Sequence, residues 1–186
     1  INAGLRSFAR DTVANPGRLN LFERDGVLAL VDFAHNEAGV IGLVDVARAV
    51  AGPHRLRLAY GTAGDRTDEI LHRIGVAAGA ADDLVIAEKP HYLRGRDLQE
   101  MNEILRAGAR AGGYADEIAA EPSEVGALRT LLDRADPGDV CAVMAHVERA
   151  ELFAWLESNG FRPVELERLR GLVAATSRSR PRRRSR

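Results

Sequence analysis

The feature that most limits how this chain can fold is the alternation of short strand-like runs with longer amphipathic stretches. Four runs have the length of a buried strand. They are residues 27–31, 56–60, 84–87 and 139–145. The stretches between them carry apolar residues at helical spacing, as Val40, Leu43 and Val44 do. This order predicts an α/β, Rossmann-like domain whose mostly parallel sheet has helices on both faces.

A single domain plus tails accounts for the length and composition. The 186 residues are 46% hydrophobic and only 5% aromatic, which predicts one sizeable core built from Ala, Val and Leu. Cys141 is the only cysteine, so no internal disulfide can form. Its apolar surroundings indicate a buried strand residue in a reducing cytoplasm rather than a catalytic thiol. No run is long and apolar enough to span a membrane, and we expect a cytoplasmic protein.

The segment Asp-Phe-Ala-His-Asn, residues 32–36, stands between the first run and the helical pattern that follows it. Ligands of open α/β sheets bind at the carboxyl ends of the strands, where helix N-terminal N–H groups attract anions. Asp32, His35 and Asn36 are therefore candidates for a nucleotide site. The alternative is a structural role, in which Asn36 does no more than cap the helix and Asp32 does no more than accept hydrogen bonds from loop N–H groups.

Two further segments accompany this turn. Gly-Thr-Ala-Gly-Asp-Arg, residues 61–66, follows the second run, and its glycines permit a tight turn and a close approach of the backbone to a ligand. Asn-Pro-Gly-Arg, residues 15–18, interrupts the chain before the first run, as a hinge between domains does. This position would put the cation of Arg18 on a mobile joint.

Taken in this order, the three segments resemble the C-terminal domain of the Mur ligase family, which makes amide bonds with ATP. The resemblance runs from about Asn15 to about Pro163. Tyr-Leu-Arg-Gly-Arg, residues 92–96, is similar to the Arg-Gly-Arg segment of the cyanophycin synthetase branch, so that branch looks nearest. Two positions depart from the pattern: Glu37 stands where related sequences commonly have Pro, and Phe33 replaces the more usual Tyr.

The resemblance implies a division of the chain and a role for eight side chains. Residues 1–14 would end a preceding central ATPase domain, 15–26 would be the interdomain linker, 27–175 the C-terminal domain, and 176–186 a disordered Arg-rich tail. The residues expected at ATP are Arg18, Asp32, His35 and Asn36. The residues expected at the amino-acid substrate are Asp65, Arg66, Arg94 and Arg96. The guanidinium forks of Arg94 and Arg96 suit a carboxylate, and the alternative is two ordinary surface arginines.

The implied reaction forms an acyl phosphate on a carboxylate and then an amide by attack of an amine. It depends on positioning and charge stabilisation rather than on a protein nucleophile, so no catalytic side chain is expected here. The sequence contains no Gly-x-x-x-x-Gly-Lys-Ser/Thr phosphate loop, so ATP and Mg²⁺ would be held mainly by the preceding domain. We therefore expect this fragment alone to be inactive, with that ATPase domain and the amino acid as its partners.

Two other function classes stay open. A dinucleotide-binding oxidoreductase would need a Gly-x-Gly-x-x-Gly after the first strand, which residues 32–39 do not supply. A noncatalytic nucleotide- or anion-binding module is the other class. The tail could touch nucleic acid, but without the six arginines of residues 178–186 the formal net charge falls from −1 to −7, and an acidic body offers no continuous basic footprint.

His146 is expected to be a loop histidine satisfied by the backbone. No His or Cys spacing suggests zinc, and the sequence leaves the oligomeric state open.

Overall fold

A computed structural model describes residues 17–165, 167, 168 and 171 of the chain. The strands are β1 (Asn20–Arg24), β2 (Val27–Asp32), β3 (Leu56–Tyr60), β4 (Asp83–Ala87), β5 (Ala119–Glu121), β6 (Val140–Met144) and β7 (Arg162–Pro163). The α-helices are α1 (Glu37–Ala51), α2 (Asp68–Ala78), α3 (Leu98–Ala111), α4 (Glu124–Leu132) and α5 (Arg149–Ser158), and a short 3-10 helix covers Pro90–Tyr92.

The strands form one sheet in the order β5-β4-β3-β6-β2-β1-β7. The pairs β2–β6, β6–β3, β3–β4 and β4–β5 are parallel, whereas β1 pairs antiparallel with both β2 and β7. One core lies between the sheet and α1, α2 and α3, and a second lies between the opposite face and α4 and α5. The predicted fold class, a mostly parallel sheet covered on both faces, is confirmed.

Strand β1 corrects the predicted linker at residues 15–26, because Asn20–Arg24 belongs to the sheet. The Phe22 side chain is fully buried, and Asp25 and Gly26 both have positive φ angles, of 52° and 82°. Two consecutive residues with positive φ make the tight hairpin turn that Asp-Gly favours. Strand β5, Ala119–Glu121, is a further strand outside the four predicted runs. The predictions for residues 1–14, for Asn15 and Pro16, and for the tail at 176–186 lie outside the described residues.

Helices α2 and α3 lie in direct backbone contact. A Cβ atom built on Gly108 would overlap the carbonyl oxygen of His72, and one built on Gly112 would overlap that of Val76. Such contact needs residues without side chains at the crossing. The glycines therefore set the spacing of the two helices that follow β3 and β4, and with it the position of the loops before those helices.

A buried ion cluster closes the amino-terminal end of the sheet. The Arg57 guanidinium lies 2.7 Å from an Asp83 carboxylate oxygen and donates through Nε and Nη2 to Asp139 at 3.1 and 3.0 Å. Burial by itself would raise the pKa of Asp139, but the backbone N–H groups of Arg55 and Asp136 and the guanidinium hold that pKa below its usual value. This cluster lies at the end of the sheet opposite to the predicted ligand edge.

Candidate functional site

The strand order brings the predicted segments to one edge of the sheet. From β2 the chain moves outward through β3 and β4 to β5, and then returns by α4 on the opposite face to insert β6 between β2 and β3. The carboxyl ends of these strands lie side by side where the direction of winding reverses, which is where ligands of open α/β sheets bind.

Asp32 fastens the entering segment to the end of β2. Its Oδ2 accepts a hydrogen bond from the backbone N–H of Leu19 at 2.9 Å, and its Oδ1 accepts one from that of Ala34 at 2.8 Å. The backbone N–H groups of Gly17 and Arg18 donate to Asn20 Oδ1 at 2.6 and 3.2 Å. The carboxylate of Asp32 therefore has the structural role that the sequence left open.

Arg18 and His35, both expected at ATP, share one aromatic neighbour. The Arg18 guanidinium carbon lies 4.9 Å from the centre of the Phe33 ring. The His35 ring lies 5.3 Å from the Phe33 ring and the His146 ring 5.2 Å from it, measured between ring centres. His35 is exposed and Phe33 is half-buried. The structure thus gathers a guanidinium and an exposed imidazole at the end of β2.

Asn36 is the N-cap of α1. Its Oδ1 accepts a hydrogen bond from the Gly39 backbone N–H at 2.8 Å, and Glu37 places its charge in the first turn. An acidic residue there complements the positive end of the helix dipole. Glu37 therefore takes the place of the more common Pro at the first helical position without loss of the cap.

The four residues expected at the amino-acid substrate also lie together, in the loops after β3 and β4. Arg94 is exposed and has a φ of 51°, and its Nε lies 3.5 Å from the Asp65 carboxylate. Its guanidinium carbon lies 4.9 Å from the centre of the Tyr92 ring. The Arg66 Nε lies 3.9 Å from the Asp65 carboxylate. Arg94 therefore presents its guanidinium at the surface of this second group.

Arg96 has a different environment from Arg94. Its Nε donates to the Gly64 carbonyl at 3.1 Å, its Nη2 to the Arg66 carbonyl at 2.9 Å, and its Nη1 to the Asp68 carboxylate at 2.7 Å. Only 18% of its side chain is exposed. These contacts tie the loop after β3 to the loop after β4, so Arg96 braces the site.

The glycines of the loop after β3 are required by the neighbouring loop. A Cβ atom on Gly61 would overlap the Ala87 carbonyl oxygen, and one on Gly64 would overlap that of Leu93. The Gly64 backbone N–H also donates to the Tyr92 carbonyl at 3.0 Å. The close approach expected of these glycines is therefore made to protein backbone.

The structure also contains a buried charged cluster that the sequence did not predict: Lys89, Glu124 and His146. The Lys89 Nζ lies 3.0 Å from Glu124 Oε1 and 2.8 Å from His146 Nδ1, and it donates to the carbonyls of Met144 and Gly61 at 3.1 and 3.4 Å. The exposed fraction of the side chain is 2% for Lys89 and 0% for Glu124. The cluster joins the loops that follow β3, β4 and β6.

Glu124 is held by more than the ammonium group. Its Oε1 accepts from the His146 backbone N–H at 2.7 Å, and its Oε2 accepts from that of Glu148 at 2.9 Å. Burial opposes the charged form, but Lys89 and these N–H groups outweigh it and keep the pKa of Glu124 below its ordinary value. Burial likewise lowers the pKa of Lys89, against the pull of Glu124. Every partner of Lys89 accepts, so Lys89 is the protonated ammonium.

The two ring nitrogens of His146 have fixed roles. Nε2 lies 2.7 Å from the Ala34 carbonyl oxygen, which can only accept, so Nε2 carries the proton. Nδ1 then accepts from Lys89. Burial and the neighbouring ammonium lower the pKa of His146 to about 4. The imidazole is neutral at physiological pH, and the expectation of a loop histidine satisfied by the backbone holds only for Nε2.

The cluster escaped sequence analysis because its members are distant along the chain. Lys89 follows β4, Glu124 opens the helix after β5, and His146 follows β6. The available signal was their common position: each lies in the loop or at the helix start that follows the carboxyl end of a strand. Local periodicity carries no information on which strand ends become neighbours.

The doubly wound sheet, with polar loops collected where the winding reverses, defines a Rossmann-like α/β domain. The carboxyl edge of its sheet is of the kind at which such domains bind ligands. Residues 17–147 match the family described as Mur ligase, glutamate ligase domain. The chain therefore belongs to this family, as its motifs predicted.

The relatives of the chain are much longer proteins. The cyanophycin synthetase of Crocosphaera subtropica is 31% identical over 143 residues, which are 77% of this chain and 16% of that protein. The UDP-N-acetylmuramoyl-L-alanyl-D-glutamate–2,6-diaminopimelate ligase of Corynebacterium glutamicum is 33% identical over 140 residues, 72% of this chain and 27% of that protein. The chain thus spans less than a third of the length of these relatives.

A solved structure has the same fold. The murein peptide ligase of Psychrobacter arcticus superposes with a TM-score of 0.62 at 18% identity, covering 84% of this chain and 31% of that one. Among the described residues of the present chain, no helix is both long and apolar enough to cross a membrane. The same residues bring no three His, Cys, Asp or Glu side chains together as metal ligands.

Proposed function

We propose that this chain is the C-terminal lobe of an ATP-dependent carboxylate–amine ligase, which closes over ATP and positions an amino acid for attack on an acyl phosphate. The observation that carries the proposal is the group of Arg18, Phe33 and His35 at the sheet's switch point, in a chain of this family. A guanidinium and helix N-terminal N–H groups at one edge suit the phosphates of a nucleotide.

In the reaction, a substrate carboxylate oxygen attacks the γ-phosphorus of ATP and ADP leaves. The amine of the amino acid then attacks the acyl carbon, loses a proton, and expels inorganic phosphate from the tetrahedral intermediate. The lobe supplies charge and geometry to these steps: Arg18 stabilises phosphate charge, and closure excludes water from the acyl phosphate. Mg²⁺ would accompany ATP and would be held mainly by the preceding ATPase domain; in this lobe, both carboxylate oxygens of Asp32 already accept backbone N–H groups.

The loops after β3 and β4 would handle the amino acid. Arg94 is the side chain assigned to its carboxylate, because the Arg94 guanidinium is exposed beside Asp65. Asp65 and Arg66 line the same group, and Asp65 would pair with an amino or other cationic group of the substrate. Arg96 supports the site through its contacts with Gly64 and Arg66.

To test the proposal, the full reading frame that contains these residues is expressed, and phosphate release from ATP is measured with each of a panel of amino acids. We expect release that depends on one amino acid and falls at least tenfold in Arg18→Ala and His35→Ala. Arg110→Ala, at an exposed position near the end of α3, is the matched control and should retain full release. Release that ignores every amino acid, or a reading frame without a phosphate loop, would favour a noncatalytic binding module.

The same assay tests whether the residues proposed for ATP and those proposed for the amino acid act on different substrates. Arg94→Ala should raise the KM for the amino acid more than the KM for ATP, because a lost carboxylate contact weakens one substrate only. If only the KM for ATP changed, the assignment of Arg94 to the amino acid would be wrong.

A further inference from the structure

The Lys89–Glu124–His146 cluster has no part in the reaction proposed above, yet it touches the loop that carries His35. His146 Nε2 donates to the Ala34 carbonyl, and the His146 ring meets the Phe33 ring nearly edge-on, at 74°. Phe33 in turn carries the Arg18 guanidinium. A series of contacts therefore runs from the buried ammonium to the cation expected at the phosphates.

The cluster is suited to hold this loop because His146 has a single hydrogen-bonding arrangement. Lys89 needs an acceptor at Nδ1, so the ring proton must be on Nε2, facing Ala34. Glu124 fixes the backbone of residues 146–148 by accepting their N–H groups. A ring with one tautomer and one position restrains the loop before a ligand binds. The loop then loses less conformational entropy on binding than it would beside a freely rotating ring.

We propose that His146 is a positioning residue for the nucleotide: Lys89 and Glu124 lock its ring, and the ring holds the loop at residues 33–36 and Arg18 in the arrangement that ATP meets. The inference rests on the proposed function, because it takes the nucleotide to be the ligand of this edge. His146 acts through Phe33 and Ala34 and has no contact with the reacting atoms in this role.

Two substitutions separate the two hydrogen bonds of the ring. His146→Asn keeps an acceptor close to the place of Nδ1, so Lys89 stays paired, but Asn is too short to reach the Ala34 carbonyl. His146→Gln can place an amide N–H near the position of Nε2 and restore that bond. His54→Asn, at an exposed position near the opposite end of the sheet, is the matched control.

The first measurement is amide hydrogen exchange at residues 33–36 in the 186-residue chain, together with the ¹⁵N shifts of His146. We expect wild-type Nε2 to be protonated and Nδ1 not. Exchange should be about 3- to 10-fold faster in His146→Asn, the effect of one neutral hydrogen bond, and near wild type in His146→Gln and His54→Asn. Unchanged exchange in His146→Asn, or a proton on Nδ1, would overturn the inference and leave the proposed ligase function standing.

The second measurement is the kinetics of the full reading frame. His146→Asn should raise the KM for ATP about 3- to 10-fold with a smaller change in the KM for the amino acid, and His146→Gln should recover most of the loss. Faster exchange with an unchanged KM for ATP would overturn the nucleotide role of His146. A wild-type enzyme without amino-acid-dependent release would instead overturn the proposed function, and the exchange result would separate the two failures.

Discussion

The backbone contact between α2 and α3 gives the most direct stability prediction, since it can be tested with one methyl group. In Gly108→Ala the new Cβ would overlap the His72 carbonyl oxygen and lie 3.0 Å from the Gly75 Cα. Both neighbours are backbone atoms and cannot rotate away. The helices would have to separate by about 1 Å to restore ordinary contact, which opens the core beneath them.

Two opposing effects set the size of the change. Alanine in place of glycine within a helix stabilises by roughly 0.5–1 kcal/mol, whereas forcing an extra methyl group into a packed interface costs about 1–3 kcal/mol. We expect Gly108→Ala to lower the free energy of unfolding by about 1–2 kcal/mol, with the overlap outweighing the helix preference. Gly42→Ala is the control, because a Cβ at Gly42 of α1 meets nothing within 4 Å. It should stabilise by roughly 0.5–1 kcal/mol.

The assay is urea unfolding followed by circular dichroism at 222 nm, with midpoints compared at equal m values. The two variants should move the midpoint in opposite directions. If Gly108→Ala were as stabilising as Gly42→Ala, the helix preference alone would decide both results and the close helix contact would be refuted.

Three further predictions concern ionisable groups. Asp139→Asn leaves Arg57 with one carboxylate partner fewer, so we expect a loss of about 3–5 kcal/mol in unfolding free energy; a loss below 1 kcal/mol in urea titrations would contradict the buried ion cluster. The pKa values of Asp82 and Asp139 are lowered on folding, so the stabilisation from these two carboxylates is complete above an unfolded-state pKa of about 4 and is lost as the pH falls through the lower folded values. The urea concentration at the unfolding midpoint should decrease as the pH is lowered through this range, and an increase would contradict the prediction. Burial raises the pKa of Cys141 to about 12, so a disulfide-exchange reagent at pH 8 should label it only in urea; rapid labelling of the native chain would show that the strand opens easily.

Local patterns predicted the elements whose signals are contained within them. The stretches between the predicted strands were expected to be helical, and residues 98–111 form α3, because Asp97 caps its first turn and Met101 and Leu105 recur on its buried face. Residues 56–60 likewise form β3. Strand β1 was missed because its residues were assigned to a linker, although Asp25 and Gly26 carried the hairpin signal.

In the candidate site too, local motifs predicted some features, whereas contacts between distant loops could not be predicted. The motifs placed His35 and Arg94 at one sheet edge, because carboxyl ends of parallel strands always share an edge. Arg18 lies at that edge because β1, which was not predicted, runs antiparallel to β2. The sequence could not distinguish Arg94 from Arg96, since the bracing contacts of Arg96 with Gly64 and Arg66 depend on how two loops meet. The buried partners of His146 were hidden for the same reason, as loops distant in sequence supply them.

The hydrogen bond from Leu19 to Asp32 has a consequence for how such a lobe can move. Asp32 ends strand β2 and also accepts a hydrogen bond from the backbone of Leu19, which ties the neighbouring Arg18 to this domain. In the proposed closure, a rotation of the lobe would therefore carry Arg18 with it. The arrival of this cation at a bound phosphate and the shutting of the cleft would then be one mechanical event with one rate.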